Sequence, residues 1–136
     1  MLKPIYLTDS MTVSSQILPN DVAPLAEMGF KSIINNRPDG EDNGQPLNRE
    51  IERLAEEQGL TYFHLPVTSG NITQEQRKQF AQFFAQAPKP IFAFCRTGTR
   101  CSALWSMGSD ELGSFDQRIA QAAKMGFDLS WVKQPD

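Results

Sequence analysis

One short segment of the sequence carries a nucleophile, a glycine and a cation in close succession. It reads Cys95-Arg96-Thr97-Gly98-Thr99-Arg100. Gly98 allows the backbone to turn so that successive amide N–H groups converge on one point, which is the geometry of an anion-binding nest. We expect a helix to begin near Cys101, and the positive end of its dipole would act at the same point. The segment therefore predicts a loop that binds an oxyanion beside a thiol.

Cys95 and Arg100 are the predicted catalytic residues of this loop. Amide groups and a guanidinium both favour the charged form of a thiol, and cysteine pKa values well below ~8.5 occur in such surroundings. Arg100 can form a bidentate pair with two oxygens of a phosphate, sulfate or thiosulfate group. It can also follow the charge that develops in a trigonal-bipyramidal transition state. The alternative is an ordinary buried cysteine at the end of a strand, but the nearby glycine and arginine favour a reactive one.

The other polar residues of the segment are predicted to contact the substrate. Ser102 would lie in the first turn of the helix and donate a hydrogen bond to the Cys95 sulfur. Cys101 is expected to be a small packing residue, and the alternative is a resolving cysteine that forms a disulfide with Cys95 after oxidation. Arg96 and Thr97 would either shape substrate choice or face solvent. The predicted substrate-binding set is Arg96, Thr97, Gly98, Thr99 and Ser102.

Strand and helix patterns alternate along the chain, which predicts an α/β fold with a central, mainly parallel sheet flanked by helices. The length of 136 residues and the hydrophobic content of 40% are enough for one core, so we expect a single domain over residues 1–136. Cys95 directly follows the apolar run 91–94, and ligands of such sheets bind beyond the carboxyl ends of strands. The predicted strands are 30–34, 60–67 and 91–94, and the predicted helices are 22–28, 47–58, one from 74, one after 100 and 115–125.

A polar loop over residues 35–44 follows the predicted strand 30–34. Asp39 and Glu41 in this loop are the candidate general acids, since a parallel strand would bring them to the same sheet edge as Cys95. The alternative is a solvated turn, which Pro38-Asp39-Gly40 favours by its own chemistry and which we prefer. Arg37 could bind a second anion or pair with Asp39. His64 lies in an apolar strand and is expected to be structural.

The amino-acid composition limits the classes of partner and cofactor that we expect the protein to bind. A net charge of -3 and a pI near 5.1 predict neither nucleic-acid binding nor attraction to an anionic membrane. The sequence contains no apolar run of signal-peptide or membrane-span type, so we expect a soluble, cytoplasmic protein. Two cysteines and one histidine predict neither a disulfide framework nor a metal site. We expect no cofactor, and the oligomeric state stays open.

Three stretches of the chain are similar to one known family. They are residues 32–41, 63–67 and 94–100, and they resemble the bacterial DUF442 domain, also called the beta-lactamase-hydrolase-like phosphatase domain. The resemblance covers nearly the whole chain and implies a fold like that of the dual-specificity phosphatases. It further implies hydrolysis of a phosphorylated protein or small molecule through a phosphocysteine, with Cys95 as nucleophile and Arg100 as the phosphate-binding cation.

The loop departs from the wider phosphatase signature. The signature arginine comes six residues after the cysteine, whereas here that place is Cys101 and the arginine comes at five. Phe94 replaces the histidine that usually precedes the cysteine, and no aspartate occurs over residues 60–94. Rhodanese loops of Cys-Arg-x-Gly-x-Arg type match this spacing, and Cys95 would then carry a persulfide without needing an acid. The chain lacks the Asp-x-Arg stretch near the first buried strand that rhodaneses usually show, and it lacks their paired glycines before a Trp near the end. We therefore prefer a phosphatase, and a module that only binds a phosphorylated ligand stays open.

Overall fold

A five-stranded sheet lies at the centre of the computed structural model, which describes residues 2–135. Four neighbouring strands are parallel, and the first strand is antiparallel to the second. The spatial order is β1-β2-β5-β3-β4, so β5 is central and carries a hydrogen-bonded neighbour on each side. The strands are β1 (Ile5–Tyr6), β2 (Met11–Ser14), β3 (Ser32–Asn35), β4 (Thr61–His64) and β5 (Ile91–Phe94).

Five helices cover the two faces of this sheet. Side chains alternate along β5 because successive residues of a strand point to opposite faces, so Ala93 and Cys95 enter one core while Phe92 and Phe94 enter the other. Helices α1 (Val22–Glu27) and α2 (Asn48–Glu57) bury their apolar residues against Phe92 and Phe94. The Cys95 face is covered by α3 (Gln74–Gln86), α4 (Thr99–Gly108) and α5 (Phe115–Lys124). The predicted α/β class with a mainly parallel, helix-flanked sheet is confirmed.

Local signals in the sequence account for the start and the buried face of α3. The Gln76 amide donates to the Thr73 hydroxyl at 3.1 Å, and the Thr73 amide donates to the Gln76 side chain at 2.9 Å. The Thr-x-x-Gln spacing of the sequence predicts this reciprocal capping box, which fixes the first turn of the helix. The helical spacing of Phe80, Phe83 and Phe84 predicts a core face, and Phe80 and Phe84 are buried while Phe83 stacks on Phe63.

Three sequence expectations differ from the structure. The strands β1 and β2 were not predicted, because β1 has two residues and polar Thr12 and Ser14 interrupt the apolar pattern of β2. Strand β4 ends at His64, before the predicted residue 67, because the regular register is lost there: the Leu65 amide donates to the Asn35 carbonyl, but the Val67 amide donates to Asn36, the very next carbonyl. The sequence of the tail, residues 127–136, suggests a packing role for Trp131, yet this residue is 45% exposed. Met1 and Asp136, which the predicted domain includes, lie outside the described residues.

Over residues 2–135, no helix combines the length and the apolar character that crossing a bilayer requires.

Candidate functional site

Cys95 lies at the carboxyl end of the central strand and is fully buried. The Phe94 carbonyl accepts a hydrogen bond from the Asn36 amide at 2.9 Å, and the Cys95 amide donates to the Ser14 carbonyl at 3.4 Å. The last residue of β2 and the residue that follows β3 therefore hold the end of β5. The backbone position of the thiol is set by the sheet itself.

Gly98 makes the turn that brings the loop back over the thiol. Its φ of +92° is in the left-handed region, which suits glycine, and it caps the N-terminus of α4. A Cβ at this position would lie 3.2 Å from the Phe127 ring, so space also restricts the residue. The Gly98 amide donates to the Cys95 Sγ at 3.0 Å. The predicted strand, loop and helix are thus arranged around the sulfur, although α4 begins at Thr99 rather than near Cys101.

The surroundings of Cys95 favour its thiolate. A hydrogen bond from the Cys101 thiol is the largest cause that lowers its pKa, to about 6, and the backbone amides of Cys101, Thr97 and Gly98 act in the same direction against burial. Burial and the adjacent Cys95 sulfur raise the pKa of Cys101 well above its usual value, so Cys101 keeps its proton and donates it. At neutral pH most Cys95 is therefore a thiolate. Cys101 therefore lowers the pKa of the nucleophile, a role that the expectation of simple packing missed.

Ser102 does not donate to the Cys95 sulfur, and that expectation was wrong. Its hydroxyl has one proton to donate and gives it to the Gly98 carbonyl at 2.8 Å in a buried position. The Ser102 amide donates to the same carbonyl at 3.0 Å. Ser102 thus fixes the orientation of the Gly98–Thr99 peptide group, which directly follows the amide that faces the sulfur.

The remaining loop side chains form the outer rim of the site. Arg96 and Thr97 are exposed, and the Thr97 hydroxyl donates to the Thr99 hydroxyl at 3.0 Å. The Arg96 Nε lies 3.4 Å from an Asp42 carboxylate oxygen. The side chains of the rim residues can therefore contact a ligand as it enters the site, and it is the backbone rather than these side chains that surrounds the Cys95 sulfur.

Arg100 is 5% exposed and reaches beneath the loop that follows β3. Its Nη1 donates to Glu41 Oε2 at 2.9 Å and to the Val67 carbonyl at 2.9 Å, and its Nη2 donates to Glu41 Oε1 at 2.8 Å. The Glu41 carboxylate raises the pKa of Arg100, which burial opposes and the Cys95 sulfur reinforces. A permanent cation is therefore held beside the thiolate.

The two candidate general acids have different partners. Hydrogen bonds from Arg100 first, and then from Arg37, outweigh burial and lower the pKa of Glu41 to about 2. Glu41 therefore holds no proton to donate at neutral pH. The Asp39 carboxylate accepts from the Asn48 amide at 2.8 Å, at the first residue of α2. The solvated turn that we preferred from the sequence is wrong for Glu41, whose side chain contacts two buried arginines.

Arg37 extends these ion pairs across the loop. It is 3% exposed, and its guanidinium donates to Glu41 at 2.8 Å, to Asp42 at 2.7 Å and to the Gln16 side chain at 3.0 Å. It does not pair with Asp39, and each of its three side-chain nitrogens donates to a protein group. His64 hydrogen-bonds to the Arg37 carbonyl at 3.1 Å, as expected of a structural histidine.

We call these five side chains the arginine–carboxylate network: Arg37, Glu41, Asp42, Arg96 and Arg100. Three cations and two carboxylates leave one net positive charge next to the Cys95 thiolate. Sequence reasoning named all of them except Asp42 but missed how they pair. In residues 2–135, no group of three or more His, Cys, Asp or Glu side chains is placed to hold a metal ion. The arrangement can hold a small oxyanion and expose it to a thiolate.

Comparison with known proteins places the chain in a family. Residues 5–111 match the model of the phosphatase-like domain of beta-lactamase hydrolase-like protein, a range that includes the loop and the whole network. A beta-lactamase hydrolase-like protein of Agrobacterium fabrum is 36% identical in an alignment of 134 positions, which covers 94% of this chain and 30% of that protein. The chain therefore spans about a third of the length of this curated relative.

Solved structures agree with the match. A candidate phosphatase of Neisseria meningitidis is 38% identical, with a TM-score of 0.79 over 93% of this chain and 90% of that one. The kinase associated phosphatase, with its catalytic-site cysteine substituted by serine, has a TM-score of 0.70 at 13% identity over 93% of this chain and 83% of that one. This likeness confirms the predicted fold of the dual-specificity phosphatases. Together these matches support a phosphatase, and the chain belongs to the phosphatase-like domain family of the beta-lactamase hydrolase-like proteins.

Proposed function

We propose that the chain is a cysteine-dependent phosphatase in which the Cys95 thiolate attacks the phosphorus of a phosphomonoester. The observation that carries this proposal is a buried thiol with a pKa of about 6, which has a backbone amide at 3.0 Å and is followed by a buried arginine in the first turn of α4. A nucleophile needs the anionic form, and the substrate oxygens need donors. One loop supplies both.

The reaction has two steps. As the Cys95 sulfur bonds to phosphorus, the bond to the leaving oxygen breaks, while Arg100 and the loop amides balance charge on the other phosphate oxygens. Water then attacks the phosphocysteine, inorganic phosphate leaves, and the sulfur departs as the thiolate that the Cys101 thiol stabilises. The substrate is a phosphorylated protein or small molecule whose phosphate is terminal, because the thiol is fully buried.

The choice of leaving group follows from the lack of an available proton on the two candidate acids, Glu41 and Asp39. Glu41 is ionised, and Asp39 binds the Asn48 amide at the start of α2. A leaving oxygen must then depart as its own anion or take a proton from water, which favours leaving groups of low pKa. We therefore expect aryl phosphates to be cleaved better than alkyl phosphates.

A second candidate function is sulfur transfer. The observation that favours it is the same absence of an available acid, together with an arginine five residues after the cysteine. The Cys95 thiolate would attack the outer sulfur of thiosulfate, the sulfur–sulfur bond of thiosulfate would break, and sulfite would leave as a stable anion without a proton. Arg100 would bind the sulfonate oxygens, and the loop amides would stabilise the persulfide anion until a thiol or cyanide accepts its outer sulfur.

The two functions can be separated on one preparation. Phosphate release from para-nitrophenyl phosphate and from glycerol phosphate is measured beside thiocyanate formation from thiosulfate and cyanide. We expect aryl phosphate hydrolysis that exceeds alkyl hydrolysis and falls to background in Cys95→Ser, because a serine hydroxyl is not ionised at neutral pH. Undiminished hydrolysis in that variant would refute the nucleophile. Thiocyanate without phosphate release would establish sulfur transfer instead, and failure of both assays would leave a binding module.

A further inference from the structure

The hydrogen bonds of Arg100 leave one edge of its guanidinium unused. A guanidinium has five N–H donors in a rigid plane. Nη1 gives both of its protons, to Glu41 and to the Val67 carbonyl, and Nη2 gives one to Glu41. The two remaining donors are the Nε–H and the second Nη2–H, which are parallel on the same edge. Neither has an acceptor among residues 2–135.

From this we infer that Glu41 is a positioning residue, which holds one edge of the Arg100 guanidinium so that the other edge is presented to an oxyanion in the loop. This inference rests on the proposed function, because it assigns the free edge to the substrate. A bidentate pair between a guanidinium and two oxygens of a tetrahedral anion needs two parallel donors. The Nε and Nη2 edge is the pair that the protein leaves available.

Glu41 can do this because it is itself held. Its Oε1 accepts from both Arg100 and the Arg37 Nε, each at 2.8 Å. Arg37 is anchored in turn by Asp42 and Gln16. The carboxylate therefore has a fixed position relative to β3, and its hydrogen bonds fix the position of the Arg100 side chain, which comes from α4.

Loss of the carboxylate would leave two buried cations without their shared counter-ion. Arg37 and Arg100 are 3% and 5% exposed, and an uncompensated buried charge is costly. In Glu41→Gln the amide keeps one acceptor oxygen, but its NH₂ group would face arginine donors. Arg100 would then rotate to find other acceptors, and its free edge would turn away from the loop.

A positioning role and a general-acid role predict different responses to the leaving group. When a general acid is removed, the loss in kcat/KM grows as the leaving-group pKa rises. When the arginine is misplaced, every substrate loses the same factor, because each carries the same phosphate group. Binding of inorganic phosphate, which has no leaving group, weakens only in the second case.

The test compares Glu41→Gln with Glu57→Gln as a matched control. Glu57 also pairs with an arginine, Arg53, at 2.8 Å, but this pair is exposed on α2. We expect inorganic phosphate, titrated by calorimetry, to bind Glu41→Gln roughly tenfold to a hundredfold more weakly than wild type. We expect kcat/KM for aryl phosphates to fall by one common factor across leaving groups. Glu57→Gln should match wild type in both.

Two further readouts complete the test. The pH midpoint of Cys95 alkylation should change little in Glu41→Gln, since Cys101 and the backbone amides are the main groups that stabilise the thiolate, whereas general disruption of the site would shift it strongly. If Glu41→Gln does not fold, Glu41→Asp keeps the charge but is too short for the bidentate pair, and the same loss is expected. Wild-type phosphate affinity in a folded Glu41 variant, or a loss that grows with leaving-group pKa, would overturn the inference. Phosphate binding by a wild type that hydrolyses nothing would refute only the proposed function.

Discussion

Replacing Cys101 by alanine tests the origin of the low Cys95 pKa. The pKa falls from 9.0 to about 6, and the Cys101 thiol is the largest cause. Three units correspond to about 4 kcal/mol at about 1.36 kcal/mol per unit. A hydrogen bond to a charged group contributes roughly 1.5 to 3 kcal/mol, so loss of the Cys101 donor should raise the Cys95 pKa by about one to two units. The backbone amides would account for the remaining decrease in the Cys95 pKa.

The assay is the rate of alkylation by iodoacetamide as a function of pH. Because the thiolate is the reactive form, the wild-type rate should rise with pH through a midpoint near 6. In Cys101→Ala the midpoint should move up to about 7 to 8, and alkylation at pH 7 should fall roughly two- to tenfold. The matched variant Cys101→Ser keeps a hydroxyl donor and should stay near the wild-type midpoint.

The reasoning fails if Cys101→Ala titrates like wild type. The amides of the loop alone would then account for the thiolate, and Cys101 would return to the packing role expected from the sequence. Cys95→Ser serves as the blank, because the signal must disappear when the reactive thiol is removed. Cys101 itself should not be alkylated by iodoacetamide near neutral pH, since burial raises its pKa.

Three further predictions concern the same loop. Hydrogen peroxide should convert the Cys95 thiolate to a sulfenic acid with release of hydroxide, and the Cys101 thiol should then displace water to form a disulfide. Peptide mass spectrometry should find this disulfide in wild type, and its absence would refute a resolving role for Cys101. Gly98→Ala should lower stability by roughly 1 to 3 kcal/mol, because its φ is +92° and its Cβ would meet Phe127; an unchanged urea midpoint would contradict this. Glu41 has a pKa of about 2 when folded and 4.5 when unfolded, so its contribution to stability is present above pH 4.5 and is lost as the pH falls toward 2. The Glu41→Gln variant should lack this component, and parallel curves of unfolding free energy against pH for the two proteins would refute it.

The loop was predictable because its signals are local. A buried apolar run, a cysteine and a glycine follow one another within a few residues, and their order alone predicts a strand that ends in an anion-binding turn. The helices with a regular apolar face were predictable for the same reason. Strand β2 was not, because it is four residues long and is stabilised by pairing with β5, which is distant in the sequence.

The side-chain pairs of the site depend on geometry that periodicity does not contain. Glu41 and Arg100 are 59 positions apart, and their contact follows from the adjacency of β3 and β5 and from an irregular loop. The direction of Cys101 depends on where α4 begins, since a shift of two residues rotates a helical side chain by roughly 200°. We placed that start near Cys101, and α4 begins at Thr99, so the contact between the two thiols could not be predicted.

The contact between Phe127 and Gly98 also bears on where the working unit ends. The family match stops at residue 111, yet the Phe127 ring, 7% exposed, lies against the glycine that shapes the loop. Arg118 of α5 donates to the Ser106 carbonyl of α4 at 2.9 Å, which ties the segment after the match to the helix that begins at the site. A fragment that ends at residue 111 would lose the Phe127 ring that packs against Gly98. The smallest fragment suitable for expression or fusion therefore extends past Phe127.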